Sequence, residues 1–71
     1  MVEKTITLTG TSPNGIQEAV TLALARAGVT IQGLRRARIK DVRMELEPDG
    51  SVTKWVVDVD ITFEVKEQLH G

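Results

Sequence analysis

Trp55-Val56-Val57-Asp58-Val59-Asp60-Ile61-Thr62-Phe63-Glu64-Val65 decides the fold. Trp55, Val57, Val59, Ile61, Phe63 and Val65 form an unbroken apolar alternation, and the residues between them are polar or charged except Val56. Strict period two is the signature of a strand with one buried and one wet face. Upstream, Pro48-Asp49-Gly50-Ser51 carries turn chemistry. The strand is therefore the second arm of a hairpin whose first arm begins at Leu34.

The first arm changes phase. Ala37 and Ile39 are inward in its early part, and Val42, Met44 and Leu46 in its later part. One extra residue near Lys40-Asp41 reconciles the two, as a β-bulge does. The second arm keeps its odd positions inward, so Val42, Met44 and Leu46 should pair with Val57, Trp55 and Thr53. Beyond the bulge, Arg38 should lie opposite Asp60 and Lys40 opposite Asp58, as cross-strand ion pairs on the outer face.

Working back to the N-terminus, Val2, Lys4, Ile6 and Leu8 alternate with Glu3, Thr5, Thr7 and Thr9, a strand with its even positions inward. Ser12 suits an N-cap and Pro13 the first helical position. Ile16, Val20, Ala23, Leu24, Ala27, Ile31 and Leu34 then follow helical spacing. The pattern predicts a helix from Pro13 to about Gln32, stopped by Gly33; Gly28-Val29-Thr30 offers an earlier stop after Ala27. The expected architecture is α+β, in the order β-α-β-β, with a three-stranded antiparallel sheet wrapped around one helix. Residues 1–71 form one domain, with 66–71 as a frayed tail.

Seventy-one residues without cysteine support only a modest core, with no disulfide and no thiolate metal site. A net charge of −1 offers no field for nucleic acid or an acidic membrane. No apolar run approaches the ~20 residues needed to span a bilayer, and Met1-Val2-Glu3-Lys4 lacks a signal-peptide layout. These features point to a soluble, cytoplasmic protein. Hairpin arms of a dozen residues, at ~3.3 Å each, outrun a covering helix of about 30 Å. Val42, Met44, Leu46 and Trp55 at the distal end are therefore expected to be sheltered by sister copies.

Thr9-Gly10-Thr11-Ser12-Pro13 opening a helix, then Leu34-Arg35-Arg36-Ala37-Arg38-Ile39, then a hairpin ending in Phe63, resembles the dodecin family over nearly the whole chain. The resemblance implies twelve subunits in a hollow shell, with helices outside and sheets lining the interior. It also implies flavin storage or buffering rather than enzymatic activity. In such proteins the flavin ring stacks on a tryptophan early in the second strand, and a glutamine on the third strand hydrogen-bonds to it. Arg36 occupies the place of that tryptophan. Val56, counting back from Phe63, occupies that of the glutamine. Trp55, the one tryptophan, has the opposite parity. Some dodecin-like proteins without the tryptophan are associated with cation binding.

The candidate ligand residues are accordingly Arg36, Arg38 and Val56, for riboflavin, FMN, FAD or a related nucleotide. An arginine can stack on a planar ring and carries a charge suited to phosphate. The alternative is a flavin-free assembly that binds a divalent cation such as calcium, or has a purely structural role. Asp58 and Asp60, at i and i+2 on one face, would be its oxygen ligands. The plainer reading of all these charges is a solvated sheet face of salt-bridged side chains. Asp49-Gly50 is a turn rather than half of a calcium loop, and His70 is a tail residue. No nucleophile with a base at hand is visible, so no catalytic constellation is expected.

Overall fold

The computed structural model describes residues 2–66. The elements follow the order β1 (Val2–Ser12), α1 (Ile16–Thr30), β2 (Leu34–Leu46) and β3 (Val52–Val65). The sheet is antiparallel with spatial order β1-β3-β2. The alternating strand that decides the fold is thus the central one, paired on both sides. His70 and the tail beyond Lys66 lie outside the described residues.

The core forms where three alanines meet three β-branched residues. Ala19, Ala23 and Ala27 recur every fourth residue on one face of α1 and are buried, as are Val57, Val59 and Ile61 on β3. Ile6, Leu8, Val20, Leu24, Ile31 and Val42 pack around them. Small side chains let the helix come close to the sheet. At Gly10 the approach is so tight that a Cβ would collide with the backbone carbonyl of Ala19 and stand 3.2 Å from the Ala23 Cβ.

Three local expectations are corrected. Ser12 does not cap the helix and Pro13 is not its first residue. Ser12 is still paired with Trp55 in the β1–β3 ladder, so the chain remains extended there. Its buried hydroxyl accepts the backbone N–H of Asn14 at 2.9 Å, a local turn contact that competes with capping. The helix starts after Gly15 without a side-chain cap, and ends at Thr30. Ile31 is already extended, and Gly33 turns the chain with φ 77°, accepting the N–H of Glu64 at 3.0 Å.

The second correction concerns the hairpin. The bulge lies between Ile39 and Asp41, where the phase change placed it, and Arg38 lies opposite Asp60. Lys40, however, is itself the extra residue, so Asp41 and not Lys40 faces Asp58. Val42 and Met44 pair with Val57 and Trp55 as expected, but a second shift between Glu45 and Leu46 sets Leu46 against Val52 rather than Thr53. A third shift lies between Leu34 and Arg36. The turn closes through Gly50 N–H to Glu47 O at 2.9 Å. The Asp49 carboxylate accepts both the N–H (2.9 Å) and the hydroxyl (2.7 Å) of Ser51.

The third correction concerns what the helix covers. A 15-residue helix spans about 22 Å and the 14-residue β3 about 46 Å, so the hairpin does overhang it. The helix also lies over β1 and β3 and barely touches β2. Along β2 only Val42 is half-buried, against the core of its own chain. The uncovered apolar stripe therefore runs the length of β2. It includes Ile39 as well as Met44 and Leu46, and continues onto Val52 at the start of β3.

Candidate functional site

The face of the sheet turned away from the helix is polar across all three strands. Odd residues of β1 present Glu3, Thr5, Thr7, Thr9 and Thr11. Even residues of β3 present Val56, Asp58, Asp60, Thr62 and Glu64. Before the bulge β2 presents Arg36 and Arg38, and after it Asp41, Arg43 and Glu45.

Register turns these residues into rows that cross the sheet. The Thr7 hydroxyl donates to Asp60 Oδ1 at 2.7 Å, and Arg38 Nη2 donates to Asp60 Oδ2 at 3.3 Å. The next row repeats the motif: Thr9 donates to Asp58 Oδ1 at 2.7 Å and Arg43 Nη1 to Asp58 Oδ2 at 3.0 Å, with Asp41 sharing the same nitrogen at 2.9 Å. In the row on the other side, the hydroxyls of Thr5 and Thr62 meet at 2.9 Å. Arg36 reaches across the central strand to Glu3, its Nη2 donating at 2.7 Å.

The electrostatics follow. The Arg43 guanidinium and the Thr9 hydroxyl hold the Asp58 carboxyl below the usual carboxylate range. The Thr7 hydroxyl, then Arg38, does the same for Asp60. Arg43 is raised in turn by Asp58 and Asp41. Donation to the ionised form favours it, whatever the donor's charge.

Arg36 and Arg38 come together with Thr5, Asp60 and Thr62 around a shallow cavity of about 270 Å³. Val56 does not join it. It sits in the row of Thr11 and Arg43 and is only 6% exposed on the central strand. Asp58 and Asp60 share the face as expected, but each carboxylate is already taken by a hydroxyl and a guanidinium. Among the described residues no group of three or more acidic, histidine or cysteine side chains is placed to hold a metal ion. Of the distal residues, Met44 and Leu46 are exposed and Trp55 is half-buried.

Arg43 and the threonines were missed from the sequence as partners of this face. The Thr5-x-Thr7-x-Thr9-x-Thr11 spacing was the available signal, since period two puts all four on one face. The bulge that puts Arg43 beside Asp58 was also legible. Its consequence for Arg43 depended on knowing that Lys40 is the residue left over.

Among the described residues no helix is long and apolar enough to cross a membrane. Nothing matches among curated proteins. A family model described as Dodecin matches residues 2–66. A crystal structure of a variant of the Thermus thermophilus dodecin is 33% identical, covers 94% of this chain and 97% of its own, and superposes with a TM-score of 0.87. The dodecin from Streptomyces coelicolor is 33% identical, with 94% of each chain covered and the same TM-score of 0.87. A calcium-chelating antigen, the calcium dodecin of Mycobacterium tuberculosis, is 24% identical over 99% of each chain with a TM-score of 0.80, which shows the fold alone. Proteins of this kind are in general small self-associating binding proteins rather than enzymes. From the family match over residues 2–66 and these superpositions, the chain belongs to the dodecin family.

Proposed function

We propose that this chain assembles into a dodecamer that stores a flavin or related nucleotide, held against the polar sheet face where Arg36 and Arg38 flank the cavity. The observation that carries this reading is the exposure of two guanidiniums at a hydroxyl-lined hollow. The side chains of Arg36 and Arg38 are 63% and 80% exposed. Each is tied through a single terminal nitrogen to one carboxylate. A guanidinium so held keeps its planar faces for stacking and its remaining N–H donors for a ligand. The stripe of Ile39, Met44, Leu46 and Val52 supports assembly, because an apolar run of that length on an edge strand calls for a covering neighbour. The role is storage, without catalysis.

Purified protein tests the ligand directly. Bound flavin gives a yellow preparation, and apo-protein quenches the fluorescence of added riboflavin or FMN. A colourless protein that leaves both fluorescences unchanged removes the flavin. A Ca²⁺ titration followed by calorimetry on that colourless protein then asks whether a cation is held instead.

A further inference from the structure

We infer that the Arg36–Arg38 cavity is a phosphate-recognition site, so that the chain binds phosphorylated ligands in preference to their unphosphorylated counterparts. The inference rests on the proposed site and names the chemical group it takes.

The reason is an imbalance between donors and acceptors around the cavity. Its one carboxylate, Asp60, has both oxygens occupied, Oδ1 by Thr7 and Oδ2 by Arg38. Glu3, just beyond the lining, accepts from Arg36 through Oε1. Lone pairs remain on both carboxylates, but the free donors outnumber them. Thr5 and Thr62 share one contact, which uses one hydroxyl hydrogen and leaves the other to be donated. Arg36 and Arg38 each commit one terminal nitrogen and keep the rest of the fork. The Arg38 contact is also long, at 3.3 Å. A hollow whose free N–H and O–H donors outnumber its remaining acceptor sites suits an anion with several acceptor oxygens. A phosphoryl group meets both guanidiniums bidentately, which a carboxylate engaged at one oxygen does not. Volume points the same way. About 270 Å³ falls short of the roughly 300–1,000 Å³ that encloses a whole small ligand, and is ample for a phosphoryl headgroup with the rest of the molecule lying over the open face.

The test uses matched pairs on the assembled protein: FMN against riboflavin, and AMP against adenosine. The expected result is at least ten-fold tighter binding of the phosphorylated member in each pair tested. That preference should shrink at high salt and be lost in Arg36→Gln and Arg38→Gln, with light scattering confirming that both variants still assemble. Equal affinity for FMN and riboflavin overturns the phosphate site while leaving the flavin reading standing. Preference for AMP over adenosine with no response to either flavin does the reverse. Binding of neither FMN nor AMP, or a preference that survives both substitutions, overturns the phosphate site.

Discussion

Met44→Asp separates assembly from folding. Met44 sits on the helix side of β2 opposite Trp55, and with 47% of its surface exposed it leaves much of its apolar area without a partner in its own chain. Leu46 at 58% and Val52 at 38% extend the same patch. Fully burying a methionine contributes about 1.5–3 kcal/mol, so covering the exposed half in an assembly contributes about 1 kcal/mol per copy. An aspartate there loses that and adds an uncompensated buried charge costing several kcal/mol. The neighbouring Arg43 gives no relief, because it points to the other face and is held by Asp58 and Asp41. A loss of about 4 kcal/mol per copy is a factor of about 10³ in each association step. Light scattering behind size exclusion should show the parent as a particle of roughly a dozen copies and the variant as small species. The far-ultraviolet circular dichroism of the variant should be retained, since an exposed residue in the single chain costs little to replace. Met44→Leu is the control and should assemble. If Met44→Asp scatters like the parent, the uncovered stripe is not what the copies share.

Two further outcomes follow from other parts of the molecule. Gly10→Ala forces the added methyl against the Ala19 carbonyl, which is backbone and cannot step aside. A cost of about 3 kcal/mol, the upper end for overpacking, lowers Tm by roughly 12–24 °C at a fixed protein concentration. A change within about 4 °C would mean that the helix does not sit so close. Asp58 and Asp60 are both held below the ordinary carboxylate range, so their contribution is present above the unfolded value near 3.9 and is lost as pH falls through the folded value. Stability should thus decline below about pH 4, and Asp58→Asn with Asp60→Asn should flatten that decline in acid melts. An unchanged acid limb would show that the threonine–aspartate–arginine rows contribute nothing measurable, as exposed ion pairs often do.

The strand order, the hairpin and the bulge were legible in the residues because each leaves a mark of period two. Alternation from Trp55 to Val65 names the buried face, the phase change between Ile39 and Val42 requires one extra residue, and Pro48-Asp49-Gly50-Ser51 closes the turn. Arg38 opposite Asp60 followed from parity alone. The helix boundaries were read less well. Ser12 and Pro13 carry capping chemistry, but the ladder with Trp55 keeps Ser12 extended and postpones the first helical turn to Ile16. Local preference there is worth about 1 kcal/mol and yields to the hydrogen bonds of the sheet.

The sequence by itself determined which residues are apolar on which face, and hence that a long hairpin must be partly uncovered. Only the tertiary structure decided where the cover falls. The helix settles over β1 and β3, because Gly10 and the alanines at 19, 23 and 27 let two backbones approach there, and so β2 is left uncovered except at Val42. It also decided which charges meet. Side chains on neighbouring strands join by register, and a single leftover residue, Lys40, hands Asp58 to Arg43.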